Sequence, residues 1–417
     1  MNGSVPEWFN AAAKKFREDE NPSSVACKNT CCRTKQMLGG LLVDQLGVQE
    51  KAVLAAISGN PFMGQSEIAE ALGLARSTVA AHIVQLIQKG HILGRGYMLP
   101  EPMRVTCIGG ATVDRKYHAR RPLIPETSNP VEARRSFGGV ARNVAENLVR
   151  LGVRTSLLST VGDDENGRAV LRHLGDLGAD VSQVFAHASL PTAEYVAVLG
   201  PDHDLVLGLA DMAIFDTLEP AHLERSWPHL AASAWVFGDC NPSADVIRNL
   251  IRRAQSARFG LAVDAVSRAK VLKLPSDLSG IDVLFLNRDE AETYLAERGD
   301  KGDRPPQQVA QALCAAGAGS VVLTMGAEGL VVAAGGEIRH LPAPPAIPVD
   351  VTGAGDALIA GTLQRLVSGD DIFSAARIGA RLAALTTETE ASVHPGLSPG
   401  LLADLLIPSS ESQAIEA

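Results

Sequence analysis

Asp350-Val351-Thr352-Gly353-Ala354-Gly355-Asp356, continuing into Ala357-Leu358-Ile359-Ala360-Gly361, sets two glycines and a carboxylate at the head of an apolar run. Glycines let the backbone turn tightly and bring its N–H groups close to an anion, and the small apolar residues that follow predict a helix starting there. A carboxylate inside an anion cradle is locally unfavourable. Asp356 therefore reads more readily as a base than as filler, although a glycine-rich helix start capped by Asp would use the same residues. Three other stretches have ligand-touching chemistry. Gly138-Gly139-Val140-Ala141-Arg142-Asn143 is a glycine pair entering a helix, with the donor and acceptor of Asn143 one turn inside. Asn287-Arg288-Asp289-Glu290 ends a strand with an amide and carboxylates suited to hydrated metal or phosphate. Thr324-Met325-Gly326-Ala327-Glu328-Gly329 ends another with glycines that permit close approach. Each alone is commonly a plain strand-to-helix turn, and their order along the chain is the specific signal. There is no Gly-x-x-x-x-Gly-Lys-Ser/Thr, so a P-loop is not expected.

The elements that must position these residues alternate. A short apolar run at 104–110 predicts a buried strand, and Asp114 follows in the next loop. Further strands are expected at 155–159, 234–237, 261–264, 283–287 and 320–324, and helices at 141–151, 169–177, 243–257, 307–316 and 357–367. Such alternation predicts an α/β fold with a mainly parallel sheet sandwiched by helices, its ligands beyond the carboxyl ends of the strands. Asp239 and Asp264 stand at strand ends, where a structural role competes with ligand contact. Two pieces break the alternation: a polar, proline-containing stretch at 116–135, and a hairpin pattern at 194–199 and 205–209. Together they predict a small β-lid over the sheet edge.

The N-terminal hundred residues have their own pattern. Residues 1–45 carry mixed signals and no assigned function. From Lys51 three short amphipathic helices are expected, with Gly73 between the second and third and Val79, Ile83 and Leu86 or Ile87 on the buried side of the third. A glycine-punctuated alternation from Gly90 to Leu99 follows, as in a wing hairpin. This resembles the winged helix-turn-helix of bacterial regulators, here assigned to residues 46–99. It implies DNA contacts from Arg76, Ser77, Thr78 and His82 on the recognition helix and Arg95 on the wing, although such modules also serve dimerisation. Pro100-Glu101-Pro102 predicts a stiff hinge over residues 100–103.

Composition sets limits on these readings. At 417 residues the chain can hold two or three domains, and 46% hydrophobic with 4% aromatic residues is ordinary for a soluble α/β protein. The formal charge of −9 argues against a protein that coats nucleic acid, but it is unevenly spread: residues 1–100 carry +2 and the remainder −11. No apolar run approaches the roughly 18 to 20 residues needed to span a bilayer, and no signal-peptide core is seen, so a cytoplasmic protein without a membrane partner is expected. Six cysteines do not make a disulfide framework at this length. Cys27, Cys31 and Cys32 cluster without a second Cys/His pair, so reduced bystander thiols are the better reading than zinc ligands.

On the Gly138–Asn143 signature, with Gly152 and Gly162 beyond it, and on Asp350–Asp356, the stretch from 104 to about 407 resembles the PfkB (ribokinase-like) family of carbohydrate and nucleoside kinases. Residues 408–417 remain as a C-terminal tail. Ser128-Asn129-Pro130, Asp239-Cys240-Asn241, Val263-Asp264-Ala265-Val266-Ser267 and Asn287–Thr293 resemble the pseudouridine kinases within it, except that Ala265 stands where proline is expected. The resemblance implies transfer of the ATP γ-phosphoryl group to a substrate hydroxyl. Asp356 would be the base for a nucleoside 5′-hydroxyl, with the amides of Gly353, Ala354, Gly355 and Asp356 stabilising the transferring group. Thr324, Gly326 and Gly329 would border ATP together with Asn287, Gly353 and Gly355, and Asn287 and Glu290 would meet Mg²⁺ through water. Asp350 and Thr352 resemble a monovalent-cation site, implying K⁺. Asp114, Gly138, Gly139 and Asn143 would bind ribose hydroxyls, and Arg142, Asp211 and Lys270 the base. Pseudouridine is the expected acceptor and a homodimer the expected assembly. Two other readings are kept: a kinase for another nucleoside or sugar, and a winged-helix transcription regulator that uses the kinase fold as a nucleoside sensor.

Overall fold

The computed structural model describes residues 46–406 apart from 61–62, 93–100, 203, 301 and 303. Helices α1 (Val48–Gly59), α2 (Gln65–Leu72) and α3 (Arg76–Gln88) open the described chain. Gly73 ends α2 in the left-handed conformation at φ 64°, which makes the tight turn into α3. Val79, Ile83 and Leu86 share a small core with Val53, Ile57 and Ile68, as the periodicity predicts. Cys27, Cys31, Cys32 and residues 93–99 of the expected wing, Arg95 among them, lie outside the described residues.

The larger part follows in the order β1 (Glu101–Ile108), β2 (Thr112–Ala119), β3 (Val131–Gly138), α4 (Val140–Arg150), β4 (Arg154–Leu158), β5 (Thr160–Gly162), α5 (Glu165–Asp176), β6 (Phe185–His187), β7 (Glu194–Leu199) and β8 (Leu205–Asp211). Then come α6 (Pro220–Ala232), β9 (Ser233–Asp239), α7 (Ala244–Ala254), β10 (Gly260–Asp264), β11 (Val283–Asn287), α8 (Arg288–Glu297), α9 (Pro306–Ala315) and β12 (Ser320–Thr324). The described chain closes with β13 (Leu330–Ala334), β14 (Glu337–Leu341), α10 (Ala354–Val367), α11 (Ile372–Thr387) and α12 (Pro399–Leu406).

Eight strands form the main sheet in the order β14-β13-β12-β11-β10-β9-β1-β4, parallel except at β12-β13 and β13-β14. Its central strands β9 to β12 are apolar on both sides, so successive residues feed two cores. Val236, Leu261, Val263, Leu284 and Leu286 pack with Leu250, Ile251, Tyr294 and Leu313 on one face. Phe237, Ala262, Val283 and Phe285 pack with Val144, Leu148, Leu358 and Leu363 on the other. The strand order reverses at β1, whose neighbours are β4 and β9, and such a switch point opens a crevice at the strands' carboxyl ends.

A second sheet, β3-β2-β7-β8, is the lid. One sequence expectation is corrected here. Residues 101–103 begin β1 instead of forming a hinge: Glu101 pairs with Ser233 of β9 and accepts a hydrogen bond from Arg154 at 3.0 Å. As expected of a lid piece, the polar stretch at 116–135 supplies the end of β2 and the start of β3, which pair antiparallel from Thr112–Gly138 to Ala119–Val131.

Candidate active site

Helix α10 begins where the sequence reading put its anion turn. Gly353 is its N-cap at φ 81°, and a side chain there would collide with the Ser392 carbonyl, 1.9 Å from the ideal Cβ position. Only glycine lets the segment after α11 close onto this turn. The amide of Ala354 donates to the Val351 carbonyl at 3.3 Å and that of Ala357 to Gly353 at 2.9 Å. The first-turn amides of Gly355 and Asp356 have no acceptor among the described residues, as expected of a helix N-terminus. Nothing lies within 4 Å of a Cβ placed on Gly355. The turn thus presents an open, positively polarised corner to an anion.

Asp356 sits in the first turn of α10 with its carboxyl largely enclosed. Burial pushes its pKa up to about 7 against the donor of Asn143, and repulsion from Asp239 and Asp114 adds to the rise. Asn143 Nδ2 donates to Asp356 Oδ2 at 2.8 Å. A carboxylate poised near neutrality at the corner of an anion cradle is suited to accept a proton from a hydroxyl.

Asp114 lies on β2 with Oδ1 accepting from Thr112 Oγ1 at 2.8 Å, and burial raises its pKa. Gly138, across the ladder on β3, leaves it room: a Cβ there would stand 2.0 Å from Asp114 Oδ2. Gly139, at φ 90°, lets the start of α4 press against the Gly110 carbonyl, 2.5 Å from the ideal Cβ. Asp239 locks this junction. Its Oδ2 accepts from the amides of Gly110 (2.8 Å) and Ala141 (3.0 Å), and its Oδ1 from Asn241 at 2.8 Å. Those bonds join the ends of β9, β1 and α4, the structural role weighed for this residue. Asp264, whose Oδ2 accepts from Val266 N at 2.9 Å, is held far above the usual carboxylate range by burial and by Glu290, Asp356 and Asp239.

Other sequence-selected residues are engaged within the chain. Arg142 is buried, paired with Glu146, and donates to Phe137 O and Asn143 Oδ1. Lys270 Nζ donates to Asn241 Oδ1 at 2.5 Å, and burial lowers its pKa. Asp211 ends β8 opposite Glu194 and is exposed. On the recognition helix Arg76 and Ser77 are exposed and Thr78 is half-buried, while His82 contacts Gln49 at 3.1 Å and Gln85 at 3.3 Å.

A cleft of about 250 Å³ is lined by Asn287, Arg288, Asp289, Thr324, Met325, Gly326 and Glu328, among them Asn287, Thr324 and Gly326, which the sequence reading expects beside ATP. Gly329 is not part of that lining; at φ 89° it lets its turn pack on the Leu341 carbonyl, 2.2 Å from the ideal Cβ. Asn287 and Glu290 form a reciprocal capping box at the start of α8. Asn287 N donates to Glu290 Oε2 at 2.8 Å and Glu290 N to Asn287 Oδ1 at 2.9 Å. The box engages Glu290 Oε2 and leaves Oε1 outside it, and Glu290 is not part of the cleft's lining. No group of three or more His, Cys, Asp or Glu side chains among the described residues could hold a metal alone, so a divalent ion here would rely on phosphate and water.

The residues around Asp350 fit a monovalent ion poorly. Lys116 of the lid donates to its Oδ2 at 2.5 Å, and the amide of Thr352 to its Oδ1 at 2.8 Å. Burial pushes Asp350 up, but these two partners hold it below the usual carboxylate range. A second pair, Arg134 to Glu390, joins β3 to the segment that packs on Gly353. Lys116, Glu390 and Ser392 carry no motif, and only chain folding brings them to the cradle. Glu146 was readable as the i+4 partner of Arg142 on a helix.

Comparison with known proteins identifies the family. The pfkB family carbohydrate kinase profile matches residues 103–397, and a winged helix-turn-helix DNA-binding profile matches residues 49–92. The chain is 31% identical over 351 residues to the uncharacterized sugar kinase YeiI of Escherichia coli, covering 84% of this chain and 96% of that protein. It is 29% identical to the Escherichia coli pseudouridine kinase, covering 70% and 93%. Among solved structures, a carbohydrate kinase from Agrobacterium tumefaciens superposes with a TM-score of 0.65 at 31% identity, covering 72% of this chain and 96% of that one. Arabidopsis thaliana ribokinase, complexed with ribose and ATP, shares the fold at a TM-score of 0.64 and 20% identity, covering 74% and 99%.

Proposed function

The chain belongs to the pfkB family of carbohydrate kinases, phosphotransferases with an alcohol acceptor, and from this premise we propose that it phosphorylates the 5′-hydroxyl of a nucleoside, pseudouridine first among them. The observation that carries the reading is Asp356, a carboxyl poised near neutrality and bonded to Asn143, beside two amides left without acceptors. The nucleoside ribose lies against Asp114 and Asn143, on either side of the Gly138-Gly139 entry. Asp356 takes the 5′-hydroxyl proton as the hydroxyl oxygen bonds to the γ-phosphorus and the bond to the β-phosphate oxygen breaks, releasing ADP. The amides of Gly355 and Asp356 hold the charge on the transferring group. Thr324 and Gly326 border the donor nucleotide. Mg²⁺, met through water by Asn287 and Glu290, would neutralise the donor phosphates. Lys116 already supplies a cation at Asp350, so a need for K⁺ is not part of the proposal.

The acceptor rests on the relative named pseudouridine kinase, whose match covers most of both chains. Purified protein with ATP and Mg²⁺, assayed by ADP release, should turn over pseudouridine faster than uridine, guanosine, ribose or fructose. Equal rates on all five would reduce the claim to a general sugar and nucleoside kinase, and a clear preference for another would replace the acceptor.

The winged helix favours a second reading, in which nucleoside occupancy of the kinase fold regulates DNA binding. A gel shift with DNA flanking its own gene, with and without nucleoside, tests it. The expected homodimer is supported by β8, the lid's edge strand, whose Leu205, Val206, Leu207 and Leu209 are at least half exposed and leave an edge open to pairing.

A further inference from the structure

The base Asp356 is not held by Asn143 alone. Asn143 Oδ1 accepts from Arg142 Nη1 at 2.7 Å, and Arg142 in turn is ion-paired with Glu146. The side chains of Arg142 and Glu146 are 3% and 5% exposed. Glu146 also accepts from Arg150 Nε at 2.8 Å and contacts His173 Nε2 at 3.2 Å, and Phe137 covers the guanidinium with its ring centroid 5.7 Å away. An amide looks alike either way round, but its two ends do not bond alike. A guanidinium only donates, so the Asn143 atom facing Arg142 must be the oxygen. The NH₂ group is thereby turned to Asp356.

We propose that Glu146 is a positioning residue for phosphoryl transfer: by holding Arg142 it fixes the Asn143 amide with its NH₂ group on Asp356 Oδ2, and so leaves Oδ1 of the base for the substrate hydroxyl. This rests on the reading of Asp356 as the base. With the amide free to turn, its carbonyl would meet the carboxylate, and the ionised form would lose its donor.

The groups that face Asp356 are Asn143, Arg142, Asp114, Asp239 and Asp264; those that face Glu146 are Arg142, Arg150 and His173. The charges predict a definite sign. Removing the negative charge of Glu146, with Arg142 kept, would by electrostatics alone favour ionised Asp356 and move the acid limb of the kcat profile to lower pH. Loss of the donor moves it to higher pH.

The test is Glu146→Gln in the full chain, assayed with ATP, Mg²⁺ and the acceptor with the highest turnover in the panel. The expected result is a kcat at least tenfold lower, with the acid limb displaced upward by roughly one pH unit, the effect of losing one charge-assisted hydrogen bond of about 1.5 kcal/mol. A kcat within twofold of wild type, or an acid limb that moves down, overturns it. Glu146→Gln leaves a buried guanidinium short of a partner and could unfold the chain. The double variant Arg142→Met/Glu146→Leu removes both charges at similar volume. If it melts cooperatively with unchanged kcat and acid limb, the inference fails; the same tenfold loss supports it. Asp356→Asn separates the two claims. Near wild-type turnover in that variant sinks the base itself, whereas its inactivity beside unaltered Glu146 variants sinks only the positioning role.

Discussion

A carboxyl group in water is ionised at neutral pH and is a feeble base there. Asp356 differs because burial, with Asp239 and Asp114 nearby, raises its pKa to about 7. Turnover should therefore rise with pH through about 7 as the carboxyl loses its proton, measured as kcat with acceptor and ATP saturating. The same shift bears on stability. A carboxyl with its folded pKa above the unfolded value binds more protons in the native state between the two, so it favours folding at low pH and loses that contribution as pH rises through the folded pKa. Asp356→Asn should thus lower kcat by about 10³-fold and yet melt higher than wild type at pH 8, with the gain absent near pH 4. A variant that melts lower at pH 8 would show that the carboxylate is not strained by its surroundings.

The first turn of α10 divides its glycines into two kinds. A methyl on Gly353 would run into the Ser392 carbonyl at an already left-handed φ, so Gly353→Ala should lower the melting temperature and abolish activity together. A methyl on Gly355 meets nothing within 4 Å, so Gly355→Ala should melt like wild type and, on the proposed function, still lose at least tenfold in kcat/KM for ATP, because the added group would stand in the proposed path of the phosphoryl group. Both glycines were visible as a pair, but what separates them is a carbonyl nearly forty residues away. The same holds across the fold. The central strands β9 to β12 are readable because both faces are apolar, and they fall within a residue or two of their expected places. Strand β3 exposes nearly every residue and has no apolar alternation, so the stretch is legible only as a piece of the lid, and its ladder with β2 sets the strand's bounds. Helix α11 escaped the reading although Asp371 caps it with bonds to Phe373 N and Ser374 N. Of the site, the glycine signatures, Asn143 and Asp356 were legible as motifs. The hold of Glu146 on Arg142, and that of Lys116 on Asp350, depend on which rotamers the packed chain leaves open.

At the scale of the whole molecule the chain joins a kinase fold to a winged helix whose surface charge is modest. Arg76 opens the recognition helix and is exposed; Arg76→Ala should weaken any gel shift on specific DNA while leaving ADP release unchanged. Within the kinase fold, two cationic side chains of the lid, Lys116 and Arg134, reach across to Asp350 and Glu390, which flank the phosphate turn. Under the proposed function, these pairs tie the lid beside the acceptor to the turn beside the donor phosphates. Under that proposal each substrate is expected to tighten the other's binding, and by equal factors, since such linkage is reciprocal. The KM for ATP should accordingly fall as the acceptor concentration rises, and the dependence should fade in high salt, because both ion pairs are partly open to solvent.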